Sequence, residues 1–176
     1  KAIPVMEHEP EAVNCWAPEI TYSPESDKFM LYWSTTIPGR FPETAGSTGN
    51  GDRRNHRIYC TMTSDFKDFE ETRLLYEPGF NVIDASIYRL DDQYMMLLKD
   101  ETELPEAQKN IRVAFAERID GPYSTAGPPI TGDYWAEGPT GIQRDGQWYV
   151  YFDKYRKQDG GKMGVVVSED LQHWTD

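Results

Sequence analysis

The chain repeats itself, and self-similarity at tens of residues limits an architecture more tightly than any local propensity does. Three units superimpose. The first starts near Trp16, runs through Ile20 and Tyr22, turns over residues 23–27 and returns as Phe29, Met30, Leu31, Tyr32 and Trp33. The second starts at Ile83, Asp84, Ala85, Ser86 and Ile87, turns at Asp91 and Asp92 and returns as Tyr94, Met95, Met96, Leu97 and Leu98. The third starts at Glu137, Gly138 and Pro139, turns at Asp145 and Gly146 and returns as Trp148, Tyr149, Val150, Tyr151 and Phe152. Aromatic and branched runs joined by short Asp, Gly and Ser turns are hairpin sequences, because those turn residues tolerate the tight backbone. Each hairpin is followed by a predicted third strand, at 57–63, 111–117 and 162–167. Two units then end alike: Ser64, Asp65, Phe66 and Phe69 match Ser168, Asp170, Leu171 and Trp174 in kind, which places an apolar or aromatic residue to start a fourth, outer strand. The middle unit closes on Gly121, Pro122 and Tyr123 instead.

Four antiparallel strands per unit, repeating at intervals of roughly 50–65 residues, predict an all-β fold, a β-propeller of four-stranded blades. An immunoglobulin-like sandwich is the structural alternative, and it would need about seven strands without internal similarity. No segment sustains a 3.6-residue apolar period between caps, so helices should be few and short. The expected organisation is a single partial propeller domain over residues 1–176, with blades at approximately 14–78, 79–130 and 131–176. Residues 1–13 read as the tail of a preceding unit, and the chain stops at Asp176 where a last outer strand should begin, so a slice of about three blades from a longer parent is expected. Residues 36–55 read as a Gly/Thr/Ser-rich loop on one face. Open blade edges make self-association an expectation as well.

Charge narrows the partners. A formal net charge of -12 without a Lys/Arg run repels phosphate backbones and anionic lipid, so neither nucleic acid nor a membrane surface is expected. A neutral carbohydrate meets no such repulsion, and eleven tyrosines with five tryptophans offer side chains that pack on one side and meet a sugar on the other. Cys15 and Cys60 have no metal-ligand spacing and read as two buried thiols. No cofactor or metal site is expected, and His8, His56 and His173 are too scattered to be ligands or a base. Asp65, Asp68, Glu70 and Glu71 read as a solvated face. No apolar run reaches 18 residues and no leader precedes Lys1, so a leader removed or a piece cut from a longer protein is expected.

The first strand of each propeller blade lines the central axis, so equivalent strand starts converge on one funnel. That places residues 16–19, Asp84 and Glu137 together, with one residue of slack between units. Two carboxylates from different blades can flank a glycosidic bond, as acid/base cleavage requires. Trp16 and Trp135 are candidate sugar platforms or core residues, and Glu19 reads as structural.

The ordered set Trp16-Ala17-Pro18-Glu19, Ile83-Asp84-Ala85-Ser86-Ile87 and Glu137-Gly138-Pro139, each before a matching hairpin, resembles glycoside hydrolase family 43, with Lys99-Asp100-Glu101 and Gly121-Pro122-Tyr123 in keeping. The resemblance implies a five-bladed propeller parent, a glycosidase of arabinose- or xylose-containing polysaccharide, and a secreted or periplasmic location. It makes Glu137 the general acid and Asp84 the residue that tunes its pKa and holds it. The family's third acid, a base on the preceding blade that activates water for inversion, has no match here. Residues 1–13 offer only Glu7, Glu9 and Glu11 outside any strand pattern, so the chain alone is expected to be inactive or nearly so. Relatives sometimes hold an axial cation, whose ligands the sequence does not place. A non-catalytic carbohydrate-binding propeller and a fructan-active propeller glycosidase are the competing readings.

Overall fold

A computed structural model describes residues 2–49, 51–156 and 161–176. Its first sheet holds four strands in sequence order, β1 (Trp16–Ser23), β2 (Lys28–Thr36), β3 (His56–Thr63) and β4 (Arg73–Tyr76). The second holds β5 (Val82–Arg89), β6 (Tyr94–Asp100) and β7 (Asn110–Ala116), and the third holds β8 (Ala136–Arg144), β9 (Gln147–Lys154) and β10 (Lys162–Ser168). Every pairing is antiparallel between chain neighbours. The only helical turns among the described residues are two short 3-10 segments, Pro42–Thr44 and Gly51–Arg54, both inside the loop between β2 and β3.

The hairpins fall where the aromatic and branched runs put them, but the fourth strand is regular only in the first sheet. In the second, residues 124–130 occupy that place without forming a regular strand: Ser124, Gly127 and Ile130 donate N–H bonds to the carbonyls of Phe115, Val113 and Ile111. Pro128 and Pro129 interrupt the segment, and proline supplies no ladder donor. In the third, a single bridge joins Val167 and Thr175. The apolar residue ahead of the fourth segment, Phe66 or Leu171, is held by the same turn twice. Thr63 Oγ1 accepts the N–H groups of Asp65 and Phe66, and Ser168 Oγ those of Asp170 and Leu171. Phe66 and Leu171 both take positive φ, at 59° and 63°.

The sheets pack face to face in succession rather than as two layers, which sets aside the sandwich alternative. Met30, Tyr32, Ile58 and Cys60 from the first sheet meet Ala85, Ile87, Met96 and Leu98 from the second in one core. Met95 and Leu97 meet Trp148, Val150 and Phe152 in another. Alternation along β6 explains the split, since successive side chains point to opposite faces and both faces are covered. Polar bonds cross each seam: Ile87 N–H donates to the Tyr32 hydroxyl at 2.9 Å, and Gly141 N–H to the Tyr88 hydroxyl at 2.7 Å. Val5, Met6 and Ala12 pack on Trp33 and Tyr59 on the outward face of the first sheet. One expectation fails: Cys60 is buried but Cys15 is exposed, because it precedes β1 at the mouth of the fold, where no neighbouring sheet covers it.

Candidate active site

The starts of β1, β5 and β8 share one irregularity. In β1 the register passes from Trp16↔Ser34 to Glu19↔Tyr32, in β5 from Ile83↔Lys99 to Ser86↔Leu97, and in β8 from Glu137↔Asp153 to Thr140↔Tyr151. Each is a bulge of one extra residue, a device that re-aims side chains at a rim. The residue after the last regular pair takes positive φ in all three: Ala17 at 46°, Asp84 at 52° and Gly138 at 60°. Position by position, therefore, Asp84 corresponds to Gly138, and Glu137 corresponds to Ile83 and Trp16. The single residue of slack expected from the sequence is real, and the two acids stand one step out of phase on neighbouring strands.

That offset brings them together. Asp84 Oδ2 accepts the N–H of Gly138 at 3.0 Å, so the first carboxylate is tied to the backbone beside the second. Burial pushes the Asp84 carboxyl above its ordinary value; Lys99 and the Gly138 N–H pull it back, and the charge of Glu137 adds to the rise. Glu137, with its side chain 37% exposed, accepts from Lys99 Nζ at 2.7 Å. Both acids line a cleft of about 840 Å³, together with Trp16, Glu19, Trp135 and Tyr155.

Trp16 and Trp135 both reach this cleft, in different states. Trp16 is 45% exposed and stacks its other side on His56, with ring centroids 4.8 Å apart. Trp135 carries two cations over its ring, Lys109 at 5.5 Å and Arg156 at 4.6 Å, and leans on Tyr155 at 5.6 Å. Glu7, Glu9 and Glu11 are not among the residues that line the cleft, and Glu9 is paired with Arg40 at 2.6 Å.

Sequence reasoning missed the buried charges beneath the acids. Lys99 is 1% exposed and bridges Glu137 to Glu101, with Nζ 2.7 Å from each. Burial alone would depress its ammonium; Glu101, Tyr155 and Glu137 outweigh that and hold it above its ordinary value. Glu101 is pushed up by burial but held below its usual range overall by Lys99 and Lys109. A lysine and an aspartate closing the apolar run 94–98 were the available signal. His56, read from the sequence as neither ligand nor base, backs the cleft wall at Trp16. It is 1% exposed, and burial lowers its pKa to about 4. Among the described residues no group of three or more His, Cys, Asp or Glu side chains is placed to hold a metal ion.

Successive antiparallel blades around an acid-lined cleft define the class of β-propeller glycoside hydrolases. Residues 2–176 match the family described as "Probable glycosyl hydrolase domain", a relative of glycoside hydrolase family 43, and the chain belongs to it. No curated protein matches it in sequence. Among solved structures it is similar to a family 117 glycoside hydrolase of the marine bacterium Zobellia galactanivorans, at 15% identity and TM-score 0.72, covering 99% of this chain and 58% of that one. It is similar to a β-xylosidase at 19% identity and TM-score 0.65, covering 92% and 57%. It is also similar to an exo-β-1,3-galactanase of Phanerochaete chrysosporium at 10% identity and TM-score 0.65, covering 94% and 35%. At these identities the likeness is one of fold, and the chain spans 58% or less of each of these relatives. No helix among the described residues is long and apolar enough to cross a membrane.

Proposed function

We propose that this chain carries the acid half of an inverting glycosidase acting on arabinose- or xylose-containing polysaccharide, as part of a secreted or periplasmic five-bladed propeller. The supporting observation is the meeting of Asp84 and Glu137 in one cleft, fixed by the bond from Gly138 N–H to Asp84. Glu137 gives its proton to the leaving glycosidic oxygen as the bond to the anomeric carbon breaks. Asp84 holds the backbone beside it and adds negative charge nearby. Water attacks the opposite face of the sugar and loses its proton to a base from outside these three sheets. Trp16 offers an open aromatic surface for a sugar ring. The likeness to a β-xylosidase supports the pentose substrate, and the likeness to a galactanase puts β-1,3-galactan into the substrate panel.

Without that base the isolated chain should release phenol, a leaving group poor enough to need the acid, from a phenyl xyloside or arabinofuranoside at near-background rates, since base catalysis contributes roughly 10²–10⁴-fold. Azide attacks without a base, so it should raise release about tenfold or more, and Glu137→Gln should remove the gain. Rapid turnover in water that Glu137→Gln abolishes would place the base inside the chain. Azide-supported turnover unaffected by Glu137→Gln would remove Glu137 as the acid. The open Trp16 surface also supports a second reading, a carbohydrate-binding propeller. Sugar binding by calorimetry, with no release of aglycone under any of these conditions, would favour it.

A further inference from the structure

The cleft holds a run of alternating charge that the two-carboxylate scheme does not use. Lys99 stands on β6 opposite Ile83, the counterpart of Glu137, and reaches across the seam between the second and third sheets. Its Nζ lies 2.7 Å from Glu137 Oε2 and 2.7 Å from Glu101 Oε2, and Glu101 Oε1 lies 2.7 Å from Lys109 Nζ. Each ammonium also faces an aromatic ring: Tyr155 at 4.5 Å from Lys99, and Trp135 at 5.5 Å from Lys109. Backbone bonds close the circuit. Tyr155 N–H donates to the Trp135 carbonyl at 3.2 Å, and Ala136 N–H donates to the Lys109 carbonyl at 2.8 Å, so the two residues that precede Glu137 are tied to the same cluster.

Stability does not account for this arrangement. Taking an ammonium out of water is costly, and replacing buried ion networks by apolar side chains of similar volume is commonly neutral or stabilising. What the network supplies is geometry. We propose that Lys99 is a positioning residue for Glu137, and that Glu101 and Lys109 complete a ladder tying the proton-donating carboxyl to the Trp135 and Tyr155 wall of the cleft. The inference rests on Glu137 being the acid. Lys99 occupies Oε2, which leaves Oε1 as the oxygen that carries the proton to the sugar. Sugar pressing on the aromatic wall and the aim of the acid are thereby coupled through one buried charge.

The test uses Lys99→Met, Lys99→Arg and Glu101→Gln, with xylobiose binding measured by calorimetry and the Lys99 ammonium followed by its ¹⁵N resonance. Lys99→Met should weaken binding about tenfold with near-UV circular dichroism unchanged, and Lys99→Arg should recover it to within about threefold. Glu101→Gln keeps the volume of its side chain and should weaken binding in the same direction, so the proposal stays testable if Lys99→Met does not fold. Glu137→Gln and Glu101→Gln should each shift the ammonium resonance. Folded Lys99→Met and Glu101→Gln variants that bind as tightly as the wild type overturn the proposal, as does an ammonium resonance indifferent to Glu137→Gln. A wild-type chain that binds no sugar while the resonance still responds sinks the glycosidase reading, and with it the coupling to sugar, but leaves the charge contacts standing.

Discussion

His56 shows how one buried side chain links the site to the stability of the fold. Its backbone N–H donates to Asn81 Oδ1 at 2.8 Å, and its Nδ1 lies 3.2 Å from the same oxygen, so Nδ1 carries the proton in the neutral ring. Burial lowers its pKa from 6.5 to about 4, which means the unfolded chain binds a proton between those values and the folded chain does not. The neutral ring therefore contributes full stability above pH 6.5, and that contribution declines as pH falls toward 4, by about 3 kcal/mol over the interval. Replacing the imidazole by a group that does not titrate, His56→Gln, should flatten the acid side of the stability profile by about that amount. Urea unfolding midpoints of both proteins at pH 7 and pH 4.5 measure it. Parallel losses in the two would mean that His56 is not held neutral.

Strands were legible where their information is local. Phe29 to Trp33, Tyr94 to Leu98 and Trp148 to Phe152 are continuous β-prone runs, and the Asp and Gly turns before them fix the hairpins. Asp84 and Glu137 could be paired only through the repeat, because they are 53 residues apart and nothing local joins them. The bulges were visible only as slack, since an extra residue changes the register without changing composition. The charges at Lys99 and Glu101 stood in the sequence, but their link to Glu137 did not, because it depends on how the second and third sheets pack. The bulge itself makes a reciprocal prediction. Ala17 and Gly138 occupy the same place in their strands, at φ 46° and 60°. An L-residue there costs about 1–2 kcal/mol, and glycine loses about 0.5–1 kcal/mol more chain entropy on folding. Ala17→Gly should thus stabilise by about 0.5–1 kcal/mol and Gly138→Ala should destabilise by as much. A Cβ on Gly138 meets nothing within 4 Å, so no clash confuses the comparison. Thermal midpoints that move in the same direction for both would show that the two bulges are not equivalent.

Across the whole molecule, each internal seam covers two sheet faces; the outer face of the third sheet is open to water, and that of the first is covered by Val5, Met6 and Ala12 only around Trp33 and Tyr59. On the first sheet Thr21 and Tyr32 point to the second sheet, while Ile20 and Tyr22 on the far side are 48% and 43% exposed. On the third sheet Trp148, Val150 and Phe152 point inward, while Ile142 and Met163 on the far side are 57% and 77% exposed. The exposed pair of faces corresponds to the pair that forms each internal seam, so one copy's third sheet has the form to pack on another's first. Apolar burial favours that contact, whereas a formal charge of -12 on each copy opposes it. Salt decides between them, because screening weakens the repulsion and leaves the apolar term. Sedimentation equilibrium should therefore show association that grows with protein concentration and with sodium chloride. Ile142→Lys combined with Met163→Lys separates the two forces, since it reduces the charge from -12 to -10 while making the face polar. If apolar contact drives association the double variant becomes more monomeric despite carrying less net charge, and if it associates more strongly than the wild type, the open face of the third sheet is not the contact.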